Sequence, residues 1–173
     1  PANAAMNPLK GAVINFTANN VTDSSAGSVA IYDGKKKLIS RYSTSDKSTS
    51  IKLSKGINQF VWDMQYPAAE RIEDLILWNG VPGATTAIPG NYTAVVRVDK
   101  DSVEVPFSIV ADPNYHCSQA DYEAQHEFLV KVKAKFSETM KGIKDIRQAR
   151  NQMNDFIGKQ GDACPKDLKK MAD

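Results

Sequence analysis

The stretch Ile57-Asn-Gln-Phe-Val-Trp-Asp-Met64 decides the fold. It is short, rich in aromatic and branched residues, and reads as a β-strand. Phe60 and Trp62 are two apart, so they share one face. They are expected to anchor a core, and burying each is worth roughly 2–3 kcal/mol. Asp63 then faces the other way and is expected to tie down the following turn.

More strands flank this one. Gly11-Ala-Val-Ile-Asn-Phe-Thr17 alternates, with Val13 and Phe16 near its core phase. Ser28-Val-Ala-Ile-Tyr32 ends at Asp33-Gly34, a hairpin signal, and Leu38-Ile-Ser-Arg-Tyr42 returns. The Ser- and Thr-rich run from Ser43 to Ser50 reads as a loop. Ser50-Ile-Lys-Leu53 reads as a further strand. Asn91-Tyr-Thr-Ala-Val-Val-Arg-Val98 and Val103-Glu-Val-Pro-Phe-Ser-Ile-Val110 close the set, with Pro106 marking an edge or a bulge. About seven short strands with regular turn signals predict a β-sandwich over residues 11–111. Residues 1–10 read as a linker. Tyr66 to Pro89 reads as a long connection across one end, with a short strand near Leu75 to Trp78. Pro89-Gly90 fits a type II turn, placing Tyr92 to close the sandwich end as a corner tyrosine does.

The period changes at Ser118. Ser118 suits an N-cap, with Asp121 three residues on in place of the usual Glu or Gln. Tyr122, Leu129, Val132, Phe136, Met140, Ile143, Ile146, Met153 and Ile157 follow, mostly three and four apart, the helical spacing. Gly158 and Gly161 provide the stop. An unbroken helix over 118–158 is about 60 Å long at 1.5 Å per residue, longer than a sandwich of about 30–40 Å. A hairpin at Gly142 is the other reading. The apolar stripe crosses Gly142 without a polar loop, which favours the unbroken form. Pro165 suits the first turn of a second helix, so residues 112–173 read as a helical arm with the start of a partner helix. The fold class is therefore mainly β plus α: a β-sandwich followed by a long α-helix, as an arm or a hairpin. The chain does not begin with Met and stops within that second helix, which reads as a fragment of a longer protein.

Composition excludes much. The chain has 173 residues, 22 Lys plus Arg and 20 Asp plus Glu, a net charge of +2. That balance announces neither nucleic acid nor an anionic membrane. No apolar run approaches the roughly 20 residues of a membrane span. With 2 Cys and 2 His, a protein-only zinc site would need nearly all of them. Asp112, His116, Cys117 and Asp121 cluster at the junction, but their spacing matches no tight zinc pattern. Neither a metal nor a cofactor is expected. An unbroken helix holds Cys117 and Cys164 too far apart to bridge, so both are expected as free thiols. No nucleophile elbow is present. Glu70, Glu73 and Asp74, beside Arg71, read as solvated charge. Lys35-Lys36-Lys37 reads as a solvated turn. No catalytic residue is assigned. Trp78 and Tyr66 are the candidate binding residues, since exposed aromatics serve as contact sites. Trp62 is expected in the core.

Asn58-Gln-Phe-Val-Trp-Asp-Met-Gln-Tyr-Pro67, Ile76-Leu-Trp-Asn-Gly80, Ile88-Pro-Gly-Asn-Tyr-Thr93, Asp112-Pro113 and Ser118-Gln-Ala-Asp121 carry a family likeness. Together they resemble the C-terminal region of bacterial sortilin-like or sialidase-like β-propeller proteins, a family of glycosyl hydrolase-like proteins with Asp-box repeats. The sandwich is also similar to the immunoglobulin-like domain of flagellar hook-capping proteins. The resemblance covers most of residues 8–158. It implies an extracytoplasmic multidomain protein, with a propeller N-terminal to Pro1. The helix would pair with a helix after Asp173 or with a second copy. Asp-box repeats (Ser-x-Asp-x-Gly-x-x-Trp) are absent from this chain, so the resemblance carries no catalytic residue onto it. It implies a non-catalytic structural and interaction module. The alternative is a carbohydrate- or peptide-binding sandwich using Trp78, Tyr66 and Trp62.

Overall fold

In the computed structural model, six strands precede one helix, and the described residues are 9–47, 50–72, 75, 83–161, 165 and 167. The strands are β1 (Ala12–Ala18), β2 (Gly27–Asp33), β3 (Leu38–Ser43), β4 (Gly56–Trp62), β5 (Gly90–Val98) and β6 (Asp101–Ile109). The helix, α1, is Gln119–Gln160. β1 and β4 form a two-stranded sheet, and a second sheet has the order β3-β2-β5-β6. Every named pair is antiparallel. The fold is thus β plus α, with two antiparallel sheets and one long helix.

Both sheets contribute to one core. Ile14 and Trp62 from the two-stranded sheet join Val29, Ile31, Tyr92, Ala94 and Val96 from the other. Trp62 is fully buried, as its place in the strand predicts. Its ring centroid lies 5.6 Å from Tyr92 and 6.1 Å from Phe107 across the sheets. Tyr42 and Phe60 make a second inter-sheet contact at 4.8 Å. Such tilted and edge-on pairs suit the aromatic quadrupole.

Some placements differ from the sequence reading. Ile14, not Val13, shares the inward face with Phe16, because residues 13 and 16 lie on opposite faces of a strand. In β4 the inward row is Asn58, Phe60 and Trp62, and Ile57 is left 82% exposed. Buried Asn58 is fully engaged. Its Oδ1 accepts from Ser54 N–H at 2.8 Å, and its Nδ2 donates to Ser54 O at 2.7 Å and Gly56 O at 3.0 Å. Residues 51–54 form no strand beyond a single bridge between Ser43 and Ser50. Ile51 still packs against the core, so its apolar side chain is buried without a ladder.

The turns have identifiable causes. The β2–β3 hairpin is built by Asp33, whose Oδ1 accepts from Lys35 and Lys37 N–H at 2.9 and 2.8 Å. The left-handed residue there is Lys36, with φ 60°, rather than Gly34. Lys35, Lys36 and Lys37 are exposed. Asp63 Oδ1 accepts from Gln65 N–H at 3.0 Å, the turn-closing role expected of it. Pro89-Gly90 is not a type II turn. Gly90 opens β5 with φ 157°, far from the roughly 80° that turn requires. Tyr92 Oη nevertheless donates to Ile88 O at 2.7 Å, closing the chain back on itself as expected. Pro106 lies in β6, an edge strand, where its missing N–H costs no ladder bond on the open side.

The chain separates into two compact units. One contains the strands and the helix up to Phe128; the other groups Ala68–Gly83 with the chain from Leu129 onward. In the second unit, Glu70 N–H donates to Ser137 Oγ at 3.2 Å, and Ala69 and Met140 are buried. The insert therefore groups with the helix. Leu75 is not in a strand, and the rest of the expected Leu75–Trp78 strand lies outside the described residues.

The helix is continuous through Gly142, so the hairpin reading is set aside. Its first turn is closed by a reciprocal cap. Asp121 N–H donates to Ser118 Oγ at 3.2 Å, and Asp121 Oδ2 accepts from Ser118 N–H at 2.9 Å and Oγ at 2.7 Å. At the other end the stop is Gly161, with φ 55°, and Gly158 remains helical. The second helix expected from Pro165 falls almost wholly outside the described residues. No helix among the described residues is long and apolar enough to cross a membrane.

Candidate functional site

Tyr66 follows β4 on a short bridge in which its N–H donates to Thr85 O at 2.8 Å. Its half-buried ring packs against the core and lies 4.7 Å from the His126 ring, at an interplanar angle of 50°. Burial, and next the charge of Asp33, raise the Tyr66 hydroxyl above the usual phenol value. The Tyr92 hydroxyl is pushed up to about 12, first by burial and then by Tyr66 and Asp33. Tyr66 is thus a packed ring rather than a free platform. Trp78, the other candidate, lies outside the described residues. Trp62 is buried and leaves the set of aromatics available to a ligand.

The junction residues are used locally. Asp112 Oδ1 accepts from Asn114 N–H at 2.9 Å and Nδ2 at 2.8 Å. Asp121 closes the helix cap, and hydrogen bonds from the Ser118 side chain and then its backbone lower its carboxyl. His116 is exposed, and Cys117 is an exposed free thiol. Cys164, Glu73 and Asp74 lie outside the described residues, and Glu70 is exposed. Among the described residues, no three His, Cys, Asp or Glu side chains converge on a metal-sized site.

Two further surfaces stand out, and only the second was singled out by sequence. The first is a groove of about 610 Å³ between the end of β1 and the β5–β6 hairpin. Phe16, Val96, Val98 and Val103 supply apolar lining, and Asp99 and Asp101 line it as well. Asp99 fixes this hairpin, since its Oδ1 accepts from Ala26 N–H at 2.8 Å. The groove exists because two strands cannot cover a four-stranded sheet, which no local pattern announces. The second surface is the helix beyond Leu129.

No family model, curated protein or solved structure matches the chain.

The helix surface is then the most informative. Val132 is 42% and Ile146 69% exposed, and Leu129 and Phe156 are exposed as well. Phe136, Ile143, Met153 and Ile157 are half-buried. Large apolar side chains thus recur along one helix and are left open to water.

Proposed function

We propose that this chain is a non-catalytic accessory module, an immunoglobulin-like sandwich with a helical arm, of a larger extracytoplasmic protein bearing a β-propeller. Two sheets around a shared aromatic core support the sandwich. The Tyr92 hydroxyl bonded to Ile88 O resembles the corner tyrosine of such domains. The observation that carries the interaction role is the uninterrupted helix with Val132 and Ile146 exposed. The propeller and the sortilin-like or sialidase-like setting rest on the sequence resemblance alone. In this reading any hydrolase activity resides in the propeller. The sugar- or peptide-binding alternative is weakened by the burial of Trp62 and the packing of Tyr66 on His126.

The coding sequence upstream of Pro1 tests the setting. Asp-box repeats there support it, and another domain type would overturn it. A glycan array probed with the purified chain tests the alternative. Binding abolished by Trp78→Ala would replace the structural reading with a lectin-like one.

A further inference from the structure

The outer face of the four-stranded sheet carries a shallow hollow of about 200 Å³. Tyr92, Ala94 and Val96 of β5 turn into the core. Alternation therefore turns Thr93, Val95 and Arg97 outward. Cross-strand register sets Tyr32 of β2 opposite Thr93, and Glu104 of β6 opposite Val95, so both share that face. These five residues, with Lys36 from the β2–β3 turn, line the hollow. All belong to the first compact unit.

Two backbone irregularities meet there. The β2–β3 register slips by one residue between Ile31 and Tyr32. A bulge of this kind increases local twist and re-aims side chains, and bulges concentrate next to binding and active sites. Beyond it, Lys36 holds φ 60°, a left-handed conformation that glycine adopts without steric cost. A lysine kept where glycine would be more stable is the kind of local strain that gathers at ligand sites.

The chemistry of the lining selects the ligand. Lys36, Arg97 and Glu104 are exposed. Among the described residues, no ion pair or side-chain hydrogen bond engages their charged groups. An ammonium and a guanidinium only donate, an ionised carboxylate only accepts, and the Thr93 hydroxyl does both. A complementary ligand therefore presents an anion to Lys36 and Arg97 and hydroxyl donors to Glu104, on one compact group. The Tyr32 ring adds a flat apolar surface. The hollow is smaller than the about 300–1,000 Å³ of ordinary small-molecule pockets, so a single ring-sized group suits it. Sulfate and an acidic peptide side chain supply the anion but give Glu104 no donor. A sugar ring bearing a carboxylate supplies both.

We propose that this hollow binds a uronic acid residue of an acidic saccharide, with its carboxylate on Lys36 and Arg97 and its hydroxyls on Thr93 and Glu104. The site goes beyond the interaction-module reading and shares no residue with Trp78, Tyr66 or the exposed helix.

The test is an NMR titration of the isotope-labelled full chain at low salt. The probes are galacturonate and glucuronate trisaccharides, a neutral galactose trisaccharide, sodium sulfate and a hexaglutamate peptide. A uronate trisaccharide is expected to shift the amides of Tyr32, Lys36, Thr93, Arg97 and Glu104. It should bind about tenfold or more tightly than the neutral sugar, since charge-assisted hydrogen bonds are the strong ones, and the difference should shrink as salt rises. Arg97→Met is expected to weaken binding about tenfold with the melting temperature unchanged. Lys36→Gly is expected to weaken it similarly while the melting temperature holds or rises. Binding of neither uronate, or shifts confined to other residues, overturns the proposal. Equal affinity for the neutral sugar overturns it as well. Equal affinity for hexaglutamate or sulfate reduces the hollow to a general cationic patch and also overturns it. Trp78→Ala is expected to leave uronate binding intact. Loss of binding in that variant would favour the aromatic lectin reading instead, and an upstream sequence without Asp-boxes would remove the propeller without touching this site.

Discussion

Trp62 holds the sheets together from a position where sequence already pointed. Its ring meets Tyr92 and Phe107 of the opposite sheet, and its Nε1–H donates to Gln65 O at 3.3 Å. Trp62→Ala is expected to cost about 3–5 kcal/mol, enough to unfold a domain of ordinary stability. Thermal melts followed at a β-sheet wavelength check this, and an unchanged midpoint would refute the assignment. Asn58 was the residue the pattern concealed. Beside Ile57, an asparagine looks like the outward member of the pair, yet it is the one buried. It supplies hydrogen bonds to a bend that has few of its own. Asn58→Ala leaves Ser54 and Gly56 groups without those partners and is expected to cost about 1–3 kcal/mol, read as a shift in urea midpoint. Gly11 has φ 135°, and a Cβ there would fall on the Trp62 carbonyl oxygen. Gly11→Ala is therefore expected to loosen the β1–β4 pair and lower the melting temperature.

Among elements, the helix was the most legible. Its N-cap, its spacing and its continuity could be read because each is local, and Ser118 with Asp121 makes the expected reciprocal bonds. Asp121 titrates below the ordinary value when folded, so its contribution is present above that value and is lost as pH falls through the lowered one. Helical ellipticity is expected to fall on acidification below about pH 4. Asp121→Asn should remove that part of the change, and superposable acid titrations of the two proteins would contradict the cap. Gly142 sits inside the helix with open space around a built Cβ. Gly142→Ala is accordingly expected to stabilise by about 0.5–1 kcal/mol. Denaturant unfolding measures it, and a loss of stability would revive the hairpin. The strand near Ile51 was misread for a related reason. Alternation reports which side chains turn inward, but not whether a neighbouring backbone is there to pair with.

At the scale of the whole molecule, stability is unevenly distributed. Val29, Ile31 and Ala94 have no exposure at all, while residues 144–152 of the helix are all exposed. Native-state hydrogen exchange is expected to be slowest in the centres of β2 and β5. It should be distinctly faster along residues 144–152 of α1, where only local hydrogen bonds resist opening. Uniform protection across both would refute this gradient.

The sequence by itself determined that short strands precede one long helix, the aromatic core around Trp62, the turn-closing Asp63 and the helix cap. These depend on residues near one another in the chain, where periodicity and capping chemistry act. Only the tertiary structure decided the two-plus-four division of the strands, the inward turn of Asn58, the groove beside Val103 and the grouping of the insert with the helix. It also decided which apolar helix residues remain exposed. Each of these depends on what a distant segment covers, and burial, unlike spacing, is not written in any local stretch of chain.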